Sequence, residues 1–520
     1  MSASLPGVAA KISRLRGARR WGAAFLCGLA FALAQPPLGL WPLIFIAGPG
    51  LLWLWRGAEG WAAFHVGLAF GVGYFGLGLH WIVEPFLVHP EIDGWMAPPA
   101  LILISVGMGL FPAAGFWLAS RATRLGAAAP PSLALGWAAM EVVRSTILTG
   151  FPWALPAYVW VDTPVAQVSS LIGPYGLTLA TLVLCMAPAI GGDGGRRLTG
   201  GVAALLVTAA AWAWGAGEMA AGPPAAGPVI RIVQPNISQS TKWDIDLIRP
   251  HFEKTLALTA RAPDGEKPSL ILWPESAVTF PIDMAGEARE EIATLAGAEV
   301  ALGSLRVDGG PDNAEAKPLR WRNSLFLLDR EGGLSEPFDK VHLVPFGEYL
   351  PFENVLNRFG VLALAQRGAG IVPGEGTILL TPSAAPPFAP LICYEMIFPR
   401  EVMAASAGAD WLALATNDAW FGDWAGPIQH LAQARMRAIE TGRPIARAAN
   451  TGISAMIDAH GRIVASRPMN SEGVIDAPLP AKRETLYRQA GELGALALAF
   501  ALVLSAAAGA FRNRRDPTDV

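Results

Sequence analysis

The feature that most constrains the fold of this chain is a series of long apolar runs almost free of charge. The first extends from Trp21 to Trp55 without a charged residue. A single membrane crossing takes only about 20 residues, so we expect Gln35-Pro-Pro-Leu-Gly39 to break this run into a helical hairpin. Further apolar runs lie at 60–83, 98–120, 131–150, 165–190, 198–216 and 493–511. The pattern predicts a bundle of about eight transmembrane helices.

Composition agrees with a membrane protein and excludes several other classes. Of the 520 residues, 52% are hydrophobic and only 16% are charged, whereas soluble proteins average about 25% charged residues. The net charge of -3 comes with basic residues in short groups, which argues against a nucleic-acid partner. The cysteines Cys27, Cys185 and Cys393 are far apart, so we predict no disulfide, metal site or cofactor. Nothing suggests obligate assembly, and we expect a monomer.

The positions of the basic residues predict the orientation of the spans. Basic residues precede the first run and then recur on alternate connections, at Arg56, at 121–124, at 196–197 and after the last run. Lys and Arg accumulate in cytoplasmic loops, so both termini should be cytoplasmic. The first run lacks a convincing small-residue cleavage site and is followed by many more spans, which indicates a retained anchor and not a signal peptide.

The segment between the seventh and eighth spans has a different character. Over residues 228–486, short strand-like runs alternate with helix-like runs, which is typical of one α/β domain with a buried sheet. We therefore expect a transmembrane region over 1–219, a linker over 220–227, an extracytoplasmic domain over 228–486, and a last span with a cytoplasmic tail over 487–520.

One short stretch of this domain is a candidate site of covalent chemistry. In Phe388-Ala-Pro-Leu-Ile-Cys-Tyr-Glu-Met-Ile-Phe398, an apolar run ends in a cysteine and continues into a helix-compatible segment. A strand, a sharp turn and a helix start would place Cys393 at the end of a sheet, where a nucleophile is accessible. A lone cysteine is also an ordinary small buried hydrophobe, so this stretch alone leaves both interpretations open.

Two further stretches supply what a thiol nucleophile needs. Leu270-Ile-Leu-Trp-Pro-Glu-Ser276 delivers Glu275 at the end of an apolar strand, and Lys340 and Glu348 lie on the loop from Phe338 to Pro351. A carboxylate can take the thiol proton and a cation can stabilise an oxyanion. We expect burial to raise the pKa of Glu275. Taken singly, Glu275 could be a strand-end carboxylate, Lys340 a solvated loop cation and Glu348 a surface charge.

The order of Glu275, Lys340 and Cys393 resembles the catalytic pattern of the nitrilase superfamily. Their sequence contexts, WPES, DKVHLVPFGEY and CYE, resemble it as well. With the flanking membrane segments, the chain is similar over its whole length to the bacterial apolipoprotein N-acyltransferase family. The resemblance implies a four-layer α-β-β-α sandwich inserted in the membrane bundle, with Glu275 as base, Lys340 and the Tyr394 N–H as oxyanion donors, and Cys393 as nucleophile. It also implies an inner-membrane location with the domain on the periplasmic side.

The resemblance implies supporting roles for several other residues. Glu348 would support Lys340 or shuttle a proton, Tyr394 and Glu395 would shape the pocket, Trp243 would contact an acyl chain, and Asn417 would wall the site. Trp243 could equally be packing, and Asn417 could be capping a turn.

One charged pair lies within the membrane region. Glu141 and Arg144 are three residues apart on an apolar helix, so they share a face and can neutralise each other. Ionisable residues within a span are usually functional, and this pair, followed by Gly150-Phe-Pro-Trp153, resembles the acyltransferase pattern and could hold a phospholipid head group. Alternatively it is an interfacial anchor.

The resemblance implies that Cys393 takes an acyl chain from a phospholipid and that the α-amine of a diacylglyceryl-cysteine apolipoprotein attacks the thioester. A membrane-tethered amidase or nitrile hydrolase would use the same three residues with water as acceptor. A transporter or lipid-binding scaffold without activity is the non-enzymatic alternative, against which the intact Glu, Lys and Cys set argues.

Overall fold

A computed structural model describes residues 7–56, 58–189, 194–220, 227–263, 265–309, 320–351 and 370–515. The chain separates into two compact units. The first comprises Met1–Gly222, Trp424–Ala432 and Glu484–Val520, and the second comprises Pro223–Asp423 and Gln433–Arg483. The predicted linker falls largely on residues 221–226, which lie outside the described residues.

The first unit is helical. Its helices are α1 (Val8–Ser13), α2 (Gly17–Ala34), α3 (Ile44–Arg56), α4 (Trp61–Gly78), α5 (Pro90–Asp93), α6 (Ala97–Arg124), α7 (Ala129–Arg144), α8 (Ser169–Met186), α9 (Gly194–Ala220), α14 (Leu486–Ala490) and α15 (Leu493–Arg515). A helix accompanies every predicted span, and the predicted break after α2 is confirmed, since that helix ends at Ala34.

Length and apolarity separate these helices into two groups. Among the described residues, four helical segments are long and apolar enough to cross a membrane, namely Trp61–Gly78, Pro90–Arg124, Pro164–Ala189 and Leu198–Ala220. Helix α3 has only 13 residues and α7 only 16, which at 1.5 Å per residue is shorter than a hydrocarbon core of about 30 Å. The several apolar helices of this unit agree with a membrane protein.

Small residues let these helices approach closely. A Cβ on Gly115 of α6 would lie 2.5 Å from the carbonyl oxygen of Gly136 on α7, and a Cβ on Gly136 would lie 2.4 Å from the carbonyl oxygen of Gly115. Both distances are far inside van der Waals contact, so the two backbones touch where side chains would keep them apart. Helices in membranes pack tightly through such small residues.

The short segment Trp424–Ala432, which is flanked in sequence by residues of the second unit, belongs to this first unit. Helix α13 (Ala425–Thr441) begins within it, and Gln429 there is buried. Its side-chain oxygen accepts hydrogen bonds from the indole N–H groups of Trp81 (3.0 Å) and Trp153 (2.7 Å), while its amide donates to the carbonyl oxygens of Pro36 and Gly78. This assignment was not predicted, because no local pattern distinguishes residues 424–432 from the α/β domain around them.

The second unit is an α/β domain with two mixed sheets. Its strands are β1 (Val229–Gln234), β2 (Leu270–Leu272), β3 (Glu299–Val307), β4 (Trp321–Leu328), β5 (Phe338–Asp339), β6 (Phe388–Ile392), β7 (Trp411–Thr416), β8 (Ile445–Ala449), β9 (Ser454–Ile457), β10 (Ile463–Arg467) and β11 (Gly473–Pro478). The described strands form one sheet in the order β11-β1-β2-β3-β4-β5 and another in the order β10-β9-β8-β7-β6.

Parallel pairing lies at the centre of both sheets. Strands β1, β2 and β3 are parallel, as are β6, β7 and β8, and the outer strands pair antiparallel. The central strands are buried throughout, which explains why they appear as continuous apolar runs in the sequence. The predicted alternation of strands and helices is confirmed.

Two hydrophobic clusters hold this unit together. One joins residues of both sheets, such as Ile232 and Leu272 from the first and Ile392 and Ala413 from the second. The other packs the remaining face of the first sheet against helices, and it includes Phe252 of α10 (Ile248–Thr259) and Ile292 of α11 (Gly286–Ala296). Helix α12 (Pro399–Ala405) follows the cysteine turn.

Candidate active site

Cys393 lies on a strained turn directly after a buried strand. Strand β6 ends at Ile392, and a short 3-10 helix runs from Cys393 to Ile397. The φ angle of Cys393 is 50°, a left-handed conformation that costs energy in a residue with a Cβ and often occurs at functional sites. Its side chain is 4% exposed. The predicted strand, sharp turn and helix start are confirmed.

Glu275 follows β2 and is held in place on both carboxylate oxygens. Oε1 accepts hydrogen bonds from the Asn323 amide (2.7 Å) and the Lys340 ammonium (3.3 Å), and Oε2 accepts one from the Asn417 N–H (3.0 Å). Cys393 lies close enough that the thiol and this carboxylate each shift the pKa of the other. The candidate base and the candidate nucleophile are therefore direct neighbours, as proton transfer between them requires.

A glycine permits the close approach of the Glu275 turn to its neighbouring strand. A Cβ at Gly303 of β3 would lie 2.6 Å from the carbonyl oxygen of Pro274 and 2.9 Å from the Cα of Glu275. Any other residue at position 303 would push the turn, and with it the carboxylate, away from the sheet.

Lys340 follows β5 and is buried between two carboxylates. Its ammonium lies 3.3 Å from Glu275 and 2.9 Å from Oε1 of Glu348. Oε2 of Glu348 accepts a hydrogen bond from the Val344 N–H at 2.8 Å. The interpretations of Lys340 as a solvated cation and of Glu348 as a surface charge are thus excluded, since both side chains belong to one hydrogen-bonded cluster.

Burial and neighbouring charges act in opposite directions on the pKa values of Lys340 and Glu275. Burial opposes the charged form of Lys340, but the carboxylates of Glu275 and Glu348 outweigh it and raise the lysine pKa. For Glu275 burial again opposes the charge, yet Lys340, Lys242 and the Asn323 hydrogen bond together lower the pKa. The expectation of a raised Glu275 pKa was therefore wrong, because burial brings two ammonium groups with it.

The Cys393 thiol differs from Glu275 and Lys340 because its pKa shift favours the uncharged form. Burial raises the pKa of Cys393, and the negative charge of Glu275 raises it further, while Lys340 acts in the opposite direction. The resting thiol is thus protonated at neutral pH beside an ionised carboxylate. This arrangement suits a thiol that is deprotonated only as it attacks a carbonyl carbon.

Glu395 links the cysteine turn to the lysine loop. Its Oε2 accepts a hydrogen bond from the Ile392 N–H (2.7 Å), and its Oε1 accepts bonds from the N–H groups of Val341 (2.8 Å) and His342 (3.3 Å). Burial raises the pKa of Glu395 to about 7, against the effect of these hydrogen bonds and of Lys340. The carboxylate therefore sets the spacing between the nucleophile and Lys340.

The remaining predicted residues of this unit lie around the same cluster or at its surface. Besides its N–H contact with Glu275, Asn417 bonds Gln239 and Asn450 through its side chain, and that side chain makes no capping hydrogen bond. Tyr394 is buried next to Cys393, and Trp243 is 48% exposed. Trp243 is thus accessible to a partner, whereas its neighbour Lys242 is not.

Sequence reasoning missed two residues of the site. Asn323 on β4 donates to both Glu275 and Glu348, at 2.7 and 3.2 Å. Lys242 donates to the main-chain carbonyl of Glu275 at 3.0 Å and is buried. For Asn323 the sequence offers one signal, a polar residue directly before the apolar run 324–328. For Lys242 it offers none, because a lysine in a short polar loop is common.

Glu141 and Arg144 form a closed pair within the first unit. The Arg144 guanidinium pairs with the Glu141 carboxylate and donates to the carbonyl oxygens of Phe151 and Trp153. The Trp137 indole donates to the other Glu141 oxygen at 2.9 Å. Both side chains are fully buried. The predicted mutual neutralisation is confirmed.

Within the described ranges, no group of three or more His, Cys, Asp or Glu side chains converges in a way that could hold a metal ion. A thiol beside a carboxylate that itself bonds an ammonium supplies a nucleophile, a proton acceptor and a cation. Acyl transfer through a covalent intermediate uses these three groups.

Comparison with known proteins agrees with both units. Residues 27–187 match the family model described as the apolipoprotein N-acyltransferase N-terminal domain, and residues 229–489 match the carbon-nitrogen hydrolase model. A mutant of the Nesterenkonia AN1 amidase from the nitrilase superfamily is 19% identical, with a TM-score of 0.38, covering 51% of this chain and 95% of its own.

Curated relatives match almost the full length. The apolipoprotein N-acyltransferase of Rhodopseudomonas palustris is 38% identical over 526 residues, covering 96% of this chain and 97% of its own. That of Brucella melitensis is 37% identical over 499 residues, covering 92% and 93%. The chain therefore belongs to the apolipoprotein N-acyltransferase family.

Proposed function

We propose that this protein transfers an acyl chain from a phospholipid to the α-amino group of the N-terminal diacylglyceryl-cysteine of an apolipoprotein. The observation that carries the proposal is the buried cluster in which Lys340 bonds both Glu275 and Glu348, with Cys393 close enough to Glu275 that each group shifts the pKa of the other. The names of the full-length relatives support an apolipoprotein as the acceptor and nitrogen as the acylated atom. The phospholipid donor is what the sequence resemblance implies.

In the first half-reaction, the sulfur of Cys393 attacks the ester carbonyl carbon while Glu275 accepts the thiol proton. The carbonyl oxygen becomes an oxyanion, which the Lys340 ammonium and the Tyr394 N–H stabilise. The ester C–O bond then breaks, and Glu275 returns the proton to the departing glycerol oxygen. The products are a thioester on Cys393 and a lysophospholipid.

In the second half-reaction, the amine nitrogen of the apolipoprotein attacks the thioester carbonyl and gives a proton to Glu275. The C–S bond breaks, the new amide leaves, and the sulfur recovers the proton. Two membrane-anchored substrates thus use one site in turn, which a covalent intermediate makes possible. No cofactor is needed for either half.

The supporting residues follow from their contacts. Glu348 holds the Lys340 ammonium at 2.9 Å, and we assign it to orienting that cation. Glu395 fixes the distance between the lysine loop and Cys393, and Asn417 orients the Glu275 carboxylate. Trp243 is exposed, and we assign it to the acyl chain or the lipid surface.

The membrane arrangement is part of the proposal. Eight helices would span the inner membrane, the second unit would be a four-layer α-β-β-α sandwich on the periplasmic side, both termini would be cytoplasmic, and the protein would act as a monomer. Cysteine labelling in intact cells tests the sidedness. Protection of residue 300 together with labelling of the loop at 121–124 from outside would contradict it.

Mass spectrometry of Cys393 after incubation of the purified protein with phospholipid alone tests the chemistry. We expect a mass increase of one acyl chain on this residue and release of lysophospholipid. Adding a diacylglyceryl-cysteine peptide should then remove the acyl group and give an N-acylated peptide. Free fatty acid as the only product would instead indicate a hydrolase.

A further inference from the structure

A second lysine, Lys242, lies in the candidate site, and no carboxylate among the described residues is bonded to its ammonium. The Lys242 side chain is buried, and its ammonium donates a hydrogen bond to the main-chain carbonyl of Glu275 at 3.0 Å. Both Glu275 and Cys393 act electrostatically on this ammonium. Burying an ammonium without an ion-pair partner costs folding free energy. We therefore expect Lys242 to have a role in the site that offsets this cost.

The charge balance of the cluster suggests that role. The Lys340 ammonium bonds two carboxylates, those of Glu275 and Glu348, so the carboxylates outnumber this cation. The excess of acidic groups persists as the proton moves from Cys393 to Glu275 and as an oxyanion forms, because each step only relocates the negative charge. A second ammonium beside Glu275 offsets this excess.

We propose that the Lys242 ammonium is a second positive charge of the acylation site, which stabilises the ionised Glu275 and the Cys393 thiolate and so speeds thioester formation. The inference rests on the thioester route proposed above. Lys242 acts through Glu275 and Cys393, so it is a positioning and electrostatic residue. The same contact also ties the loop that carries Trp243 to the Glu275 turn.

The protonation of Lys242 then makes acylation depend on pH. Burial lowers the pKa of Lys242 to about 8, against the raising effects of Glu275 and Cys393. Two further titratable groups belong to this balance. Burial raises the pKa of Glu395, which bonds the cysteine turn and the lysine loop, to about 7. Burial lowers the pKa of His251, as do the charges of Lys254 and Lys242, while Asp244 acts in the opposite direction. The charge is present below about pH 8 and lost above it. The pKa values of Lys340 and Cys393 are raised and lie on the alkaline side of this range.

The test measures the initial rate of thioester formation from labelled phospholipid, as hydroxylamine-sensitive label on the full-length protein, between about pH 6 and pH 9.5. We expect the wild-type rate to fall as the pH rises through about 8. Lys242→Gln keeps an N–H donor for the Glu275 carbonyl but removes the charge. It should be about tenfold slower at pH 7 and should lack the alkaline fall.

Lys242→Arg keeps the charge at every pH of the series. It should also lack the fall near pH 8 while retaining more activity than Lys242→Gln, and it carries the test if Lys242→Gln does not fold. Lys254→Gln is the matched control, because Lys254 also contacts a main-chain carbonyl, that of Asn236, but pairs with Glu472. It should keep the wild-type rate and profile.

A wild-type rate and profile in Lys242→Gln, or an unchanged alkaline fall in Lys242→Arg, would overturn the inference and leave the thioester route intact. Failure of the wild-type protein to form any thioester would contradict the proposed function itself, and this inference with it.

Discussion

Each of the two units contains a buried cluster of acidic and basic side chains. The two clusters differ in how much of their hydrogen-bonding capacity is already used. In the first unit, Arg144 donates to Glu141 and to two main-chain carbonyls, and both oxygens of Glu141 are in use. In the second unit, Lys340 sits between Glu275 and Glu348 beside a protonatable thiol.

The choice of cation accounts for much of this difference. An arginine fork forms several directed hydrogen bonds at once and stays charged, which suits a fixed bracket between a helix and a loop. A lysine is a compact point charge that can turn toward a new oxygen. In addition, Oδ1 of Asn323 is buried and finds no hydrogen-bond partner among the described residues. A buried ion pair whose hydrogen bonds are all made holds the structure rigid. A buried cluster that still has a free hydrogen-bond donor or acceptor can also bind a substrate.

The largest effect should come from removing the thiol. Cys393→Ala should abolish thioester formation, because Glu275 then has no acidic neighbour to deprotonate for attack. Cys393→Ser should be nearly inactive, since a hydroxyl is far harder to ionise than a thiol of ordinary pKa about 8.5. Acid-quenched labelling with phospholipid measures both. Label on the Cys393→Ala protein that hydroxylamine removes would refute the assignment.

The next largest effect should come from the two charges around the thiol. Glu275→Gln keeps the shape of the side chain but removes the proton acceptor. Lys340→Met removes the oxyanion's cation, a loss of about 3 to 4 kcal/mol of transition-state stabilisation. Acylation should slow by about a hundredfold or more in each variant. Single-turnover rates on folded protein measure this effect. Wild-type rates in both variants would show that the cluster around Cys393 is not reactive and that it does not differ in function from the Glu141–Arg144 pair.

Breaking the Arg144 pair should act mainly on stability. Glu141→Ala leaves a buried guanidinium without its carboxylate, a loss of about 3 to 5 kcal/mol, and its melting temperature should fall. If the pair also holds a lipid head group, the KM for phospholipid should rise in the protein that remains folded.

A double variant separates these two roles of the pair. Removing both charges in Glu141→Gln with Arg144→Met should restore much of the stability, but a head-group site would stay lost. Unchanged donor kinetics in folded Glu141→Ala would leave the pair with a purely structural role.

The smallest effect concerns Glu395. Its pKa in the folded protein is about 7, above the ordinary value of 4.5, so between those values the folded state holds a proton that the unfolded state has lost. This contribution to stability is complete below about pH 4.5 and is lost as the pH rises through 7. It amounts to about 3.5 kcal/mol at most, at about 1.4 kcal/mol per pKa unit.

Comparison of Glu395→Gln with wild type tests this titration. Thermal unfolding of the wild-type protein between about pH 5 and pH 8 should show a decline with rising pH that the variant lacks. Parallel curves for the two proteins would exclude a titrating Glu395.

The sequence alone determined the main elements and the positions of the central residues. Charge-free runs predicted the helices of the first unit, and buried parallel strands appeared as apolar runs ending in Glu275 and Cys393. These signals are local, because a strand or helix places its own residues whatever it packs against. For the same reason the turn at Cys393 was predictable from the run that precedes it.

Only the tertiary structure decided how the groups act on one another. Asn323 and Lys242 join the site from loops and strands distant in sequence, and Gln429 draws a segment of the α/β region into the first unit. The pKa of Glu275 depends on how many ammonium groups lie near it. Electrostatic energy depends on distances in space, and a sequence pattern reports only distances along the chain.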